Sequence, residues 1–102
     1  CNYNNADYIS EIKTMAPFSE HLHLHDSFGL LQTMPTYIKS EAVSYGLGDI
    51  HLPLGWGNIP FDEVFDKLEL PKDTNLNFEL LRNHYPYFEE NIKKAKELIK
   101  KI

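Results

Sequence analysis

The chain has one cysteine (Cys1), one tryptophan, five glycines and six prolines among its 102 residues. A lone thiol leaves no disulfide within the chain, which excludes the disulfide-stapled secreted domains and fits a cytoplasmic home. Scattered glycine and proline exclude collagen-like and linker sequences. No apolar run reaches the length of a membrane span, and no basic stretch followed by an apolar one opens the chain, so no membrane partner is expected. The opening residue is not Met, so the sequence reads as processed, trimmed or partial. A mature lipoprotein also opens on cysteine, but nothing nearby resembles an extracellular tether. Basic residues are scarce too: 10 Lys and Arg stand against 15 Asp and Glu, a formal net charge of -5. That balance works against the phosphate neutralisation on which nonspecific duplex binding depends, and a nucleic-acid partner is not expected. The one lysine cluster, Lys93, Lys94, Lys96, Lys100 and Lys101, ends the last predicted helix, where cations complement the macrodipole.

What is present, 42% hydrophobic and 13% aromatic residues with 25% charged, describes one globular unit over residues 1–102 with a modest core. Tyr8, Ile9, Ile12 and Met15 recur at helical spacing until Pro17 stops them. His21 to His25 alternate strictly between histidine and leucine. A strand there sets the three histidines on one face and Leu22 and Leu24 on the other. Residues 30–48 are irregular, with room for a helical turn or two, and 49–60 read as an ordered loop rich in Gly and Pro. Phe61, Val64, Phe65 and Leu68 stripe a second helix behind Pro60. Asn75 to Leu81 alternate again, with Leu76, Phe78 and Leu80 opposite Asn75, Asn77 and Glu79. Phe88, Ile92, Ala95, Ile99 and Ile102 stripe a closing amphipathic helix. Helices alternating with two strands follow the grammar of a parallel α/β sheet.

Four of the five histidines, His21, His23, His25 and His51, fall close together in the sequence with Asp26 and Asp49 among them. Imidazole nitrogens with carboxylate oxygens suit zinc, manganese, iron or cobalt, and Asp49 and His51 can converge on one ion from an extended loop. A polar lining without metal fits the same spacing. Glu79 shifts the balance: it is expected on an inward-facing polar face between Phe78 and Leu80, where an unpaired carboxylate is costly and a cation shared with a neighbouring histidine relieves the cost. A glutamate bonded to backbone amides or to lysine is the alternative.

The run His23-Leu24-His25-Asp26, the later Asp49-x-His51-x-x-Leu54-Gly55-x-Gly57-Asn58-Ile59 and the strand end Asn77-Phe78-Glu79 resemble, in order and spacing, the last two units of the xylose-isomerase-like TIM barrels. That superfamily includes endonuclease IV (AP endonuclease family 2) and the sugar-phosphate isomerases and epimerases. The resemblance covers Tyr8 to the C-terminus. It implies the C-terminal part of a (β/α)8 barrel, about strands 7 and 8 with flanking helices and the earlier strands missing, since a whole barrel takes roughly 250 residues. It also implies His23, Asp49, His51 and Glu79 as ligands of a divalent cation (Mn, Zn or Co), Glu79 as a catalytic carboxylate as well, and His25 and Asp26 as residues that orient the ligands. Trp56 stands where the family usually has the acid of Gly-Glu-Gly, and with Tyr45 is expected to cover the substrate.

The expected activity is that of a divalent-metal-dependent sugar or sugar-phosphate isomerase or epimerase, working by metal-assisted proton transfer next to a carbonyl. Its second carboxylate lies outside this sequence, so the isolated chain is expected to be inactive, and the whole enzyme is a candidate homo-oligomer. The alternatives are an endonuclease IV-like zinc phosphodiesterase acting on abasic DNA and a non-catalytic metal-binding module. The apolar, aromatic stretch between Asp26 and Asp49 disfavours the first of these.

Overall fold

The computed structural model describes residues 7–31 and 35–102. Helix α1 (Tyr8–Met15) starts where the Asp7 side chain accepts the Ser10 N–H at 3.2 Å, and Pro17 turns its end into a 3-10 turn over Ala16–Phe18. Strand β1 (His21–Leu24), α2 (Lys39–Tyr45), α3 (Phe61–Phe65), β2 (Asn75–Phe78), a 3-10 segment (Arg82–Tyr87) and α4 (Phe88–Ile99) follow. Helix α2 ends at Gly46, whose φ of 68° lets its N–H close the last turn on Ala42 and Val43.

The two strands pair in parallel, with Leu22 beside Leu76, His23 beside Asn77 and Leu24 beside Phe78. Leu22, Leu24, Leu76 and Phe78 therefore share one face, and it packs on the main core of Val64, Phe65, Leu68, Ala95 and Leu98. The opposite face carries His21, His23, Asn75 and Asn77, all exposed. A smaller cluster of Ala42, Ile50 and Leu52 joins α2 to the loop after it.

This architecture overturns the expectation of strands 7 and 8 of an eight-stranded barrel. The described residues form a two-stranded sheet with four α-helices, a small mixed α/β unit too short in strands to be part of a closed barrel. Side chains of α1 and α3 line a cavity against β1. Two further expectations are corrected. Helix α4 buries Asn91, Ala95 and Leu98, and leaves Phe88, Ile99 and Ile102 between 44% and 48% exposed, so its inward face is turned by about one residue from the predicted stripe. The cause is polar: Asn91 Oδ1 accepts the Leu54 N–H at 2.8 Å, a buried donor that needs a partner. Glu79 is also exposed rather than enclosed. Among the described residues no helix is long and apolar enough to cross a membrane.

Candidate metal centre

Asp26 builds the frame of the site. Immediately after β1 it exchanges main-chain hydrogen bonds with Leu52, N–H to O at 2.7 Å and O from N–H at 3.0 Å, an antiparallel bridge. Its fully buried carboxylate accepts the N–H groups of Ser27 and Gly55 at 2.8 Å, Gly57 at 3.0 Å and Ile59 at 3.2 Å. One carboxylate thus answers four main-chain donors, an efficient way to keep a buried loop satisfied. Gly57 is required by this clasp, because a Cβ there would run into the Ser27 carbonyl and the Asp26 carboxylate. The Asp26 carboxylate thus orients the backbone of this loop.

The bridge sets His25 beside His51, with ring centroids 4.4 Å apart. His51 adopts a left-handed backbone with φ of 46°, a conformation uncommon outside glycine that recurs where side chains are held for function. From it, His51 Nε2–H donates to Asp49 Oδ2 at 2.9 Å, while His25 Nδ1 lies 3.7 Å from Asp49 Oδ1. One ligand atom from each of His25, Asp49 and His51 lies within 4.8 Å of the others. A tetrahedral ion with ligands at its usual bond lengths spaces donors about 3.4 Å apart, so only a small contraction is needed.

His25 Nδ1 is the most telling atom: it is buried and has no hydrogen-bond partner among the described residues. Burial chiefly, and His51 beside it, lower the His25 pKa from its ordinary 6.5, opposed in part by Asp49, Glu79 and the Asp26 backbone. The imidazole is thereby kept neutral, with a lone pair available. Two imidazoles and one carboxylate make a donor set suited to zinc, cobalt or manganese.

His23 does not join this group. It sits on the exposed sheet face and its Nδ1–H donates to Glu79 Oε2 at 3.0 Å, diagonally across from β1 to the residue after β2. That hydrogen bond, more than any other cause, lowers the Glu79 pKa from its ordinary value, with His51, His23 and His25 adding a smaller electrostatic pull. The structure thus divides the expected ligand set of His23, Asp49, His51 and Glu79 into two neighbouring groups: His25, Asp49 and His51, then His23 with Glu79.

Comparison with protein-family models, curated proteins and solved structures found no match. The site is therefore read from its own chemistry. Trp56 stands in another group, packed edge-on against Tyr87 and His84 at centroid distances of 4.8 Å and 5.4 Å. Its indole props the Asp26-held loop on the 3-10 segment before α4. Sequence reasoning passed over His84, a buried histidine whose Nδ1 has no partner among the described residues. The aromatic run Tyr85-Pro86-Tyr87-Phe88 beside it was the available signal. His25 was expected to orient the ligands; the alternation treats His23 and His25 alike, and the Asp26–Leu52 bridge sets only His25 beside Asp49 and His51.

Proposed function

We propose that His25, Asp49 and His51 hold one divalent cation (zinc, manganese or cobalt) and that the centre serves proton transfer next to a carbonyl, the chemistry of sugar and sugar-phosphate isomerases and epimerases, in a cytoplasmic protein. The observation that carries the reading is the buried, unpartnered His25 Nδ1 facing the Asp49–His51 pair. The motif order His23, Asp49-x-His51, Glu79 and its resemblance to the xylose-isomerase-like enzymes supports it further.

A bound cation would act as a Lewis acid toward the substrate carbonyl and stabilise the charge that develops on its oxygen. Asp49 supplies the anionic ligand, and His25 and His51 supply neutral nitrogens whose rings the loop clasp holds in place. Glu79, an exposed carboxylate whose pKa the His23 hydrogen bond lowers, would accept a proton from the carbon beside the carbonyl and return it to the neighbouring position. His23 positions that carboxylate. The negative net charge and the absence of arginine and lysine among the described residues that line the cavity beside His25 and Asp49 make the abasic-DNA phosphodiesterase the weaker alternative.

The test is metal binding followed by turnover. Cobalt(II) titration, followed by visible absorption, is expected to saturate at one ion per chain, and His25→Ala or Asp49→Ala to weaken binding at least tenfold. An unchanged cobalt spectrum in the Ala variants overturns the assignment of the centre. Tight binding with no proton exchange into a panel of keto sugars in deuterated water leaves the metal centre standing and overturns the catalytic reading in favour of a non-catalytic module.

A further inference from the structure

A cavity of about 440 Å³ lies against β1, and four consecutive residues, Leu22, His23, Leu24 and His25, line it. Successive strand residues point to opposite faces. A cavity that touches four in a row therefore runs along the edge of the strand, not over either face. The main-chain pattern shows which edge. Glu20 O and Leu24 O accept from Asn75 N–H and Glu79 N–H, and Asp26 bonds Leu52, so the even-numbered residues turn their main-chain groups toward β2. His21, His23 and His25 then turn their N–H and C=O groups the other way, toward an edge on which no strand pairs among the described residues. The outer walls are apolar, with Ile12 of α1 and Val64 and Phe65 of α3 among them.

An open row of main-chain donors and acceptors beside apolar walls matches the needs of an extended peptide, whose own main chain completes the ladder while alternate side chains fill the walls. Charge narrows the class. Among the described residues no lysine or arginine lines the cavity, and the one carboxylate there is Asp49. The carboxylate disfavours an acidic segment, and the apolar walls match uncharged apolar side chains.

We propose that this cavity is a peptide-binding groove in which a short, extended, uncharged apolar segment adds as a third strand to the free edge of β1. The proposal rests on the edge and its walls and is independent of the metal reading, so it is tested on protein stripped of metal with a chelator.

The probe is a capped six-residue peptide alternating threonine with valine or leucine. Its addition is expected to slow amide hydrogen exchange at His23 and His25 at least tenfold and to leave Leu22 and Leu24, already turned toward β2, unchanged. N-methylation of one alternate set of peptide amides is expected to abolish binding, and methylation of the other set to leave it intact. Ile12→Trp, which fills the groove from α1, is expected to weaken binding at least tenfold. Equal binding of both methylated peptides, protection at the even-numbered residues, or equal binding of a version with glutamate for threonine overturns the proposal. So does a dimer in sedimentation whose odd-numbered amides are protected without peptide, since a second copy then occupies the edge. Should Ile12→Trp fail to fold, the exchange and methylation results on the unaltered chain decide alone.

Discussion

Asp26 and Leu52 exchange two main-chain hydrogen bonds, at 2.7 Å and 3.0 Å, and this single bridge brings His25 against His51. Everything at the candidate centre depends on it, because β1 and the 49–52 segment are otherwise remote in sequence. The Asp26 side chain secures the same junction by accepting four main-chain donors. Asp26→Ala is expected to destabilise the fold by about 2–4 kcal/mol, since buried donors lose their acceptor. Asp66→Ala, at an exposed acid beyond α3, is expected to change stability by less than about 0.5 kcal/mol. Urea denaturation of both variants checks this, and similar midpoints would show that the clasp does not hold the fold together.

Asn91 is the corresponding anchor for α4. Asn91→Leu adds apolar surface yet is expected to lower stability by about 1–3 kcal/mol, because the Leu54 N–H is left without an acceptor. A stability equal to or above that of the unaltered chain would show that ordinary apolar packing, not the hydrogen bond, sets the rotation of the helix.

That rotation marks the limit of what the residues show in one dimension. Both strands and the outer helices were legible, because histidine-leucine and asparagine-leucine alternation, and apolar recurrence in steps of three and four, are local signals. The face of α4 was not: Ile99 and Leu98 are equally apolar neighbours, and the choice fell to a contact with a loop 37 residues away. Helix α2 was obscure because Ser40, Val43, Ser44 and Tyr45 are weak helix formers that tertiary contacts support. At the site, the residue types were legible and their grouping was not. The sequence places His23 and His25 on the same side of a strand, and only the fold directs one to Glu79 and the other to Asp49.

Protonation of His25 should cost the fold stability over a defined range. Its pKa is lowered in the folded chain, mainly by burial, so between the ordinary 6.5 and the lower folded value the unfolded chain binds more protons than the folded one. Stability is therefore expected to be full above pH 6.5, to fall as the pH drops through that window, and to level off for this group below the folded pKa. His25→Gln is expected to flatten the dependence. Thermal melts at half-unit intervals measure it, and an equal slope in the variant would assign the effect elsewhere.

Metal affinity should follow the same direction. A ring nitrogen must be unprotonated to act as a ligand, so protonation of His25 competes with the ion. Cobalt binding is expected to strengthen as the pH rises from 5.5 to 7.5 and to release protons into weakly buffered solution. Calorimetry across this range in two buffers of different ionisation enthalpy reads the number released, and an affinity that does not change with pH would show that no protonated imidazole competes with the ion.

The pair of His23 and Glu79 makes a separate prediction. His23→Ala removes the largest cause of the lowered Glu79 pKa, so the carboxyl is expected to titrate closer to its ordinary 4.5. Carbon-detected NMR titration of the Glu79 side chain follows it directly. A titration unmoved by the substitution would show that His23 does not set the Glu79 pKa.

The Asp26 clasp also has a bearing on how this loop can change over generations. It holds residues 55, 57 and 59 through their main-chain N–H groups alone, so it places no demand on the chemistry of a side chain at position 56. The clasp itself accommodates a bulky indole there, which adds its own contacts to Tyr87 and His84, provided that Gly57 keeps its place against Ser27. The loop is a mount with an interchangeable fitting, on which a different residue could be tried without disturbing the histidines behind it.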